Sequence, residues 1–327
     1  MKTVVTGGAG FIGSHLVKRL LDEGRDVVAV DDMSRGSLLN LKDLGVPLGC
    51  AIEANLRDYG QALNAIGGAD VVFHLAARVG SVEYLHGSEL AELRALQDNL
   101  ITDANVFRAC TETNVKRIVY ASSVSVYPID LQREPGVVFS EDDLRYYNPE
   151  GGYGWAKLLG EIQLGWMKDV NIGIARIFNV YGEGEPLDET THVIPALIRK
   201  AVTYPKEDFI VWGDGEQSRC FIYVSDCVDA LIKLEEKASN PPLTVNIGSD
   251  KPVKIKEIAE KIVAVSGKNI KIKYDSGKPV GPLSRTANIT NARKKLSWSP
   301  SVILDEGLRR TYSWAEKRLL KLLDATR

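Results

Sequence analysis

A tyrosine and a lysine four residues apart, Tyr153 and Lys157, form the pair best suited to acid–base chemistry. Residues four apart share one face of a helix, so the phenol and the ammonium can point into the same cleft. A tyrosine must lower its pKa by roughly three units, or about 4 kcal/mol, to act as a base near neutrality. A nearby cation favours phenolate, and Lys157 is one. A second Tyr-x-x-x-Lys, from Tyr274 to Lys278, lies in a predicted turn and is assigned no role.

Hydroxyl side chains precede this pair in segment 121–127, which reads Ala-Ser-Ser-Val-Ser-Val-Tyr and follows the apolar run 117–120. A hydroxyl at the carboxyl end of a parallel strand faces the ligand crevice of its sheet. We therefore expect Ser123 to donate a hydrogen bond to a ligand oxygen or keto group. The alternative is that these serines are solvated turn residues.

Three glycines, Gly7, Gly10 and Gly13, stand between the apolar run 3–6 and the helical pattern 11–23. Gly7 allows a tight turn, Gly10 lets the backbone approach a pyrophosphate, and Gly13 lets helix and sheet pack closely. The helix N-terminus then favours an anion. This spacing predicts a dinucleotide site, with a packing turn that binds nothing as the alternative.

An acidic residue, Asp31, stands at the end of the second predicted strand, eighteen residues after Gly13. A carboxylate there accepts a hydrogen bond from a ribose 2′-OH and repels a 2′-phosphate. The sequence therefore favours NAD over NADP, although Arg35 nearby weakens the distinction.

Alternating strand and helix patterns must position these groups. Strands are expected over 3–6, 27–30, 69–74, 117–120 and 172–175, and helices over 11–23 and 88–111. Strands that are apolar throughout, with helices between them, indicate a parallel sheet covered on both faces. Right-handed crossovers then predict an α/β fold with a doubly wound sheet.

The pattern loosens after about residue 180, where proline and glycine become frequent. A strand over 209–212 and helices over 224–237 and 304–323 are expected. We predict a doubly wound domain over 1–180, to which elements from about 220–250 return, and a smaller α/β substrate domain over 181–327.

Composition excludes several classes of protein. The 327 residues are 44% apolar and 26% charged with a net charge of −2, which argues against disorder and against nucleic-acid binding. Because no apolar stretch of about 18 residues lacks a charge, no membrane span is expected. The four cysteines form no CxxC pair and no metal-ligand spacing, so we expect reduced thiols and no metal. No leader pattern precedes the first strand, and a cytoplasmic location is expected.

The assembled motifs resemble the extended short-chain dehydrogenase/reductase family, and within it the NAD-dependent sugar-nucleotide epimerases and dehydratases. The motifs are GGAGFIG with Asp31, HLAA at 74–77, ASSVSVY and YGWAK. Later segments extend the resemblance over nearly the whole chain: RIFNVYG at 176–182, GDGEQSR at 213–219, VNIG at 245–248 and LSWSP at 296–300. The resemblance implies a Rossmann domain and a C-terminal sugar-nucleotide-binding domain.

The resemblance also implies site residues. Tyr153 would be the catalytic acid/base, Lys157 its electrostatic partner, and Ser123 the hydroxyl that orients the sugar oxygen. The NAD-binding residues would be Gly7, Gly10, Phe11, Ile12, Gly13, Asp31, Asp32, Ser34, Arg35, Asn55, Leu56, Leu75, Ala76, Ala77 and Asn99, together with Tyr153 and Lys157. Asn55 replaces the family's usual Asp at the adenine. Ser125, Asn179, Arg219 and Arg285 would bind the nucleotide-diphosphate sugar.

Two departures from family patterns narrow the expected reaction. Dehydratases carry an Asp-Glu pair where this chain has Val124 and Ser125, which cannot expel water by acid–base catalysis. Several segments resemble GDP-mannose 3,5-epimerases, but those enzymes use a Cys and a Lys where this chain has Ser125 and Val193. His192 could donate a proton instead, although a surface or phosphate-facing histidine is the alternative.

We therefore expect an epimerase that acts through a transient 4-keto sugar, most simply a 4-epimerase of a UDP- or GDP-sugar. The alternatives are a 3,5-epimerase-like enzyme, a 4-dehydrogenase, a 4,6-dehydratase, or a non-catalytic NAD-binding scaffold. The resemblance also implies a homodimer, formed through helix 88–111 and the helix that follows Tyr153.

Overall fold

The computed structural model describes residues 1–144, 146–278 and 280–325. In chain order, the strands are β1 (Lys2–Thr6), β2 (Asp26–Asp31), β3 (Ala51–Glu53), β4 (Val71–His74), β5 (Arg117–Ser123), β6 (Val138–Phe139), β7 (Asn171–Ile177), β8 (Asn179–Tyr181), β9 (Ile210–Trp212), β10 (Ser218–Tyr223), β11 (Leu243–Ile247), β12 (Pro252–Lys254), β13 (Lys273–Asp275) and β14 (Ser284–Ala287). The helices are α1 (Phe11–Asp22), α2 (Leu38–Asp43), α3 (Tyr59–Ile66), α4 (Val82–His86), α5 (Glu89–Glu112), α6 (Gly151–Trp166), α7 (Val193–Thr203), α8 (Val224–Lys237), α9 (Ile255–Ser266), α10 (Thr290–Leu296) and α11 (Leu304–Ala325).

A seven-stranded parallel sheet forms the larger part of the molecule, in the order β3-β2-β1-β4-β5-β7-β11. The order reverses between β1 and β4, and a doubly wound sheet binds its ligand beside such a switch point. The expected α/β doubly wound fold is therefore confirmed.

Both faces of this sheet are buried, because neighbouring residues along each strand enter different apolar clusters. Val5 packs with helices α1 and α8, whereas Val4 packs with α3 and α5. In β4, Phe73 and Val72 divide in the same way. This two-sided burial explains why the strands are apolar throughout rather than alternating.

A smaller region follows, with its own apolar cluster among α7, α9 and α11. Strand β10 pairs with β8, β12 and β14, and β14 in turn pairs with β6 from the first half of the chain. Strand β11 joins the large sheet beside β7. The division at residue 180 remains a prediction, since segments on either side of it cross between the two sheets.

Among the described helices, none is long and apolar enough to cross a membrane.

Candidate functional site

One cavity of about 970 Å³ lies at the carboxyl ends of β1, β2, β4, β5 and β7 and extends to the smaller region. It is lined by every residue predicted for the site except Asn99: Gly7, Gly10, Phe11, Ile12, Gly13, Asp31, Asp32, Ser34, Arg35, Asn55, Leu56, Leu75, Ala76, Ala77, Ser123, Ser125, Tyr153, Lys157, Asn179, Arg219 and Arg285. The fold therefore brings together side chains that lie far apart in the sequence.

The glycine-rich turn forms one end of the cavity and permits close backbone approach. Gly7 has φ +68°, and a Cβ there would lie 2.9 Å from the Ala76 nitrogen. A Cβ on Gly13 would lie only 2.0 Å from the Gly7 carbonyl oxygen. Helix α1 begins directly after Gly10, so its free N–H groups are available to an anion. The turn therefore fits a dinucleotide pyrophosphate.

Asp31 ends β2 at the edge of this turn. Its carboxylate accepts hydrogen bonds from the backbone N–H groups of Ala9, at 3.0 Å, and Met33, at 2.9 Å. Burial raises its pKa, whereas these two donors act in the opposite direction. A carboxylate has further acceptor capacity, so Asp31 is suited to a ribose hydroxyl and unsuited to a 2′-phosphate. The residues present fit NAD.

Arg35, whose positive charge weakened the predicted preference for NAD over NADP, points across the cavity toward Thr190. Its Nη1 donates to the Thr190 hydroxyl at 2.8 Å, and its guanidinium lies 4.9 Å from the Tyr84 ring centroid. Arg78 lies against the same ring at 4.6 Å. Ser81 N also donates to the Thr190 carbonyl at 2.8 Å. These contacts connect the segment after β2, the segment around α4 and the segment before α7. We call the contacts of Thr190 with Arg35 and Ser81 the Thr190 clasp.

The two asparagines predicted for NAD binding occupy different positions. Asn55 lines the cavity, and its Oδ1 accepts from the backbone and side chain of Arg57. Asn99 is fully buried behind the lining, where its amide bonds the backbone of Arg78 in both directions and the Ala95 carbonyl. Asn99 therefore fixes the loop after β4, and its direct contact with the cofactor stays a prediction.

Tyr153 and Lys157 lie on the first two turns of α6, and both are buried beside Ser123. Burial raises the pKa of Tyr153, and hydrogen bonding with Ser123 opposes this rise. Burial lowers the pKa of Lys157. The Lys157 Nζ lies 6.0 Å from the Tyr153 ring centroid and 4.6 Å from that of Tyr120. Among the described residues it has no hydrogen-bond partner, so its donors remain available to a ligand.

Ser125 carries a partner that sequence analysis missed. Its hydroxyl donates to Glu150 Oε2 at 2.9 Å, and Arg285 forms an ion pair with the same oxygen. Arg285 Nε also donates to Gln132 at 2.7 Å. Burial raises the pKa of Glu150, but Arg285 and His86 outweigh it and the pKa falls below its usual value. The sequence signal that could have indicated this partner is a carboxylate three residues before Tyr153.

The remaining predicted substrate residues also line the cavity. Asn179 Nδ2 donates to the Cys220 carbonyl at 2.9 Å, which ties β8 to β10. Arg219 is buried, and its Nη1 donates to the Ser218 carbonyl at 2.7 Å. With Arg285 nearby, this part of the cavity carries two guanidinium groups, a geometry suited to a diphosphate.

His192 lines the cavity and remains half-exposed. Its Nδ1 lies 2.7 Å from Oε1 of Glu185, a buried carboxyl that the sequence did not single out. Burial raises the pKa of Glu185. Val193 begins α7 beside it.

No group of three or more potential metal ligands occurs within the part of the chain that the structure describes.

Residues 3–248 match the model of the NAD dependent epimerase/dehydratase family. GDP-mannose 3,5-epimerase 1 from Oryza sativa subsp. japonica is 30% identical over 332 residues, covering 98% of this chain and 83% of that protein. The match spans both the glycine-rich turn and the smaller region.

Two solved structures are similar over almost the full chain. UDP-glucose 4-epimerase from Thermotoga maritima, solved with UDP-glucose, has a TM-score of 0.86 and 26% identity, covering 98% of this chain and 100% of that one. UDP-N-acetylglucosamine 4-epimerase from Methanobrevibacter ruminantium M1, in complex with UDP-N-acetylmuramic acid, has a TM-score of 0.84 and 30% identity, covering 97% and 98%.

Proposed function

Because the chain belongs to the NAD dependent epimerase/dehydratase family, we propose that it is a sugar-nucleotide 4-epimerase that acts through a transient 4-keto sugar. The observation that carries this proposal is the shared cavity. Its lining includes Ser123, Tyr153 and Lys157 together with the glycine-rich turn and the guanidinium groups of Arg219 and Arg285.

The mechanism assigns each proton to a group of the chain. Tyr153 removes the proton of the sugar 4-hydroxyl and later returns it, while Ser123 hydrogen-bonds the same oxygen and limits its movement. Lys157 stabilises the phenolate form of Tyr153 with its positive charge. Bound NAD supplies the hydride acceptor and donor. Arg219 and Arg285 hold the diphosphate, so the sugar is the part free to present either face.

The surroundings of Ser125 favour epimerisation over dehydration. A 4,6-dehydratase needs a group that donates a proton to a leaving hydroxyl. Glu150 is the carboxyl that contacts Ser125, but its pKa is lowered and Arg285 forms an ion pair with it, so it is held as a carboxylate. Ser125 and Val193 likewise provide no proton-transferring pair for inversion at C3 and C5. Inversion at C4 requires neither group.

The test is a screen of UDP- and GDP-sugars with the purified protein, in which products are identified by NMR and NADH is followed by absorbance. We expect a C4 epimer without accumulation of NADH, and no product with the Tyr153→Phe variant. A product lighter by one water would indicate a dehydratase, and stoichiometric NADH with a keto product would indicate a 4-dehydrogenase. Full activity in Tyr153→Phe would overturn the proposal.

We also propose that the protein is a homodimer, paired through the exposed apolar faces of α5 and α6. Leu90, Leu93 and Ile101 are exposed on α5, and Trp155 and Trp166 on α6. Residues 90, 93 and 101 fall close to one face of α5, and 155 and 166 to one face of α6. A second copy would cover both faces at once.

Light scattering tests this assembly. We expect twice the chain mass of 35.9 kDa, and a mass near that of one chain for the variant Trp166→Asp. Ile303→Asp is the control, because Ile303 is an exposed apolar residue outside these helices. A monomeric wild-type chain would refute the proposal.

We also propose that the protein is located in the reducing cytoplasm. The observation that all four cysteines are free supports this location, and cell fractionation tests it.

A further inference from the structure

The ammonium of Lys157 is buried against an aromatic ring rather than against an acid. Lys157 is 1% exposed, and its Nζ lies 4.6 Å from the centroid of the Tyr120 ring. A ring face attracts a cation, but burial in low dielectric still disfavours the charged form. A negative charge nearby therefore favours the ammonium form of Lys157.

Asp103 supplies a carboxylate behind that ring. It lies on α5 and is fully buried. Its Oδ2 accepts from the Tyr120 hydroxyl at 2.5 Å, and its Oδ1 lies 3.0 Å from His74 Nε2. The Tyr120 side chain therefore stands between Asp103 and Lys157, with its ring toward the cation and its hydroxyl toward the anion.

The hydrogen bonds of His74 indicate that this group is neutral. Its Nδ1 lies 2.7 Å from the Thr6 hydroxyl, and that oxygen is 3.2 Å from the N–H groups of Leu75 and Ala76. Since those groups can only donate, the Thr6 hydroxyl is free to donate to Nδ1, and Nε2–H then donates to Asp103. Burial also lowers the pKa of His74. The network of Thr6, His74, Asp103 and Tyr120 thus carries one net negative charge.

A glycine on α6 makes room for this network. Gly160 lies three residues after Lys157, and a Cβ there would be 2.3 Å from the Tyr120 hydroxyl and 2.8 Å from Asp103 Oδ2. Any larger residue would displace the carboxylate or the phenol. The close packing of α5 against α6 beside Asp103 therefore requires a glycine at position 160.

The other charged group near Lys157 is already neutralised. Glu161 accepts three hydrogen bonds from Arg176 and one from Ser122. Both Asp103 and Glu161 favour the ammonium of Lys157, but only Asp103 lacks a cationic partner of its own among the described residues. Tyr153 and His74, which also face this region, are neutral.

We propose that Asp103 is a positioning residue for catalysis, because its buried charge, transmitted across the Tyr120 ring, keeps Lys157 an ammonium with its N–H groups free. The inference rests on the role proposed above for Lys157. Within the network of Thr6, His74, Asp103 and Tyr120, it assigns the negative charge to Asp103 and treats Tyr120 and His74 as the neutral groups that hold the carboxylate in place.

The experiment measures the charge of Lys157 directly, without requiring a substrate. The NAD-loaded protein is labelled with lysine carrying ¹³C at Cε and titrated by NMR, and the Lys157 signal is the one missing in Lys157→Met. We expect the pKa of Lys157 to fall by about one unit in Asp103→Asn, the lower end of the effect of a neighbouring charge. Asp103→Ser serves as the second neutral variant where Asn prevents folding.

Tyr120→Phe is the matched control, because it keeps the ring and the charge and removes only the hydrogen bond. We expect it to leave the pKa of Lys157 within about 0.3 unit of wild type, although both variants lose stability. An unchanged pKa in Asp103→Asn and Asp103→Ser, or an equal fall in Tyr120→Phe, would refute the proposal. A fall confined to the Asp103 variants, in a protein that epimerises none of the sugars tested, would support the charge assignment and refute only the proposed reaction.

Discussion

The third glycine of the N-terminal turn offers a sharp test of the dinucleotide site. In Gly13→Ala the new Cβ would lie 2.0 Å from the Gly7 oxygen, whereas real contacts of this kind are essentially never below 3.0 Å. The Gly7 carbonyl or helix α1 must therefore move by about 1 Å. The contacted atom is backbone, and a Cβ at Gly7 would itself meet the Ala76 nitrogen at 2.9 Å, so the turn has little room on its other side.

A shift of this size should cost at least one hydrogen bond between a backbone N–H group and the pyrophosphate. Hydrogen bonds to charged groups contribute about 1.5–3 kcal/mol, which corresponds to roughly 10- to 150-fold weaker NAD binding. Overpacking adds about 1–3 kcal/mol of destabilisation. Gly49→Ala is the control, because a Cβ there meets nothing within 4 Å.

The assay has two parts. NAD released from each purified protein is counted per chain, and rebinding to the stripped protein is measured by calorimetry. We expect Gly49→Ala to match wild type and Gly13→Ala to lose most of its NAD. If Gly13→Ala retained as much NAD as the control and rebound it within about threefold, the turn would not be the anion site.

Three further outcomes are expected. Arg176→Met should lower the free energy of unfolding in urea by about 3–5 kcal/mol, because it leaves Glu161 buried and unpaired; adding Glu161→Leu should recover most of this loss, and no recovery would contradict the reasoning. Thr190→Val should speed NAD release several-fold in stopped-flow measurements, since it removes the hydroxyl that accepts from Arg35, and an unchanged rate would show that the Thr190 clasp does not retain NAD. Because Cys110, Cys220 and Cys227 are buried and Cys50 is partly exposed, one thiol should react with a disulfide reagent at pH 8 in the native protein and four in urea. Cys50→Ser should remove the native signal.

Local patterns predicted the elements well where tertiary pairing agreed with them. The helix expected over 224–237 is observed with those bounds. The strand expected over 117–120 extends to Ser123. Alanine and serine have no strong preference for strands, but Ala121 to Ser123 pair with β7 in the sheet. The extension matters because it carries Ser123 to the edge where Tyr153 lies.

The missing parts of the site are contacts between distant segments. Glu150 meets Arg285, 135 residues away, and Arg35 meets Thr190, 155 residues away. Periodicity reports on neighbours within a few turns and carries no information about such pairs. The Tyr-x-x-x-Lys spacing likewise predicted a shared face, but not that the Tyr120 ring would be the closer neighbour of Lys157.

The surroundings of Tyr153 make its deprotonation harder than that of a free tyrosine. Starting from a free tyrosine, the phenolate requires about 4 kcal/mol of stabilisation near neutrality. In the folded chain, burial is the largest cause that raises the pKa of Tyr153, and the negative charges of Asp103 and Glu150 raise it further. Ser123 and Arg285 lower it. The net effect is a rise, so about 4 kcal/mol is a lower bound. Asp103 thus acts in two directions, since it sustains the ammonium of Lys157 and opposes the phenolate of Tyr153. The positive charge of Lys157, together with charge that arrives with the bound ligands, must therefore overcome this rise before Tyr153 can act as a base.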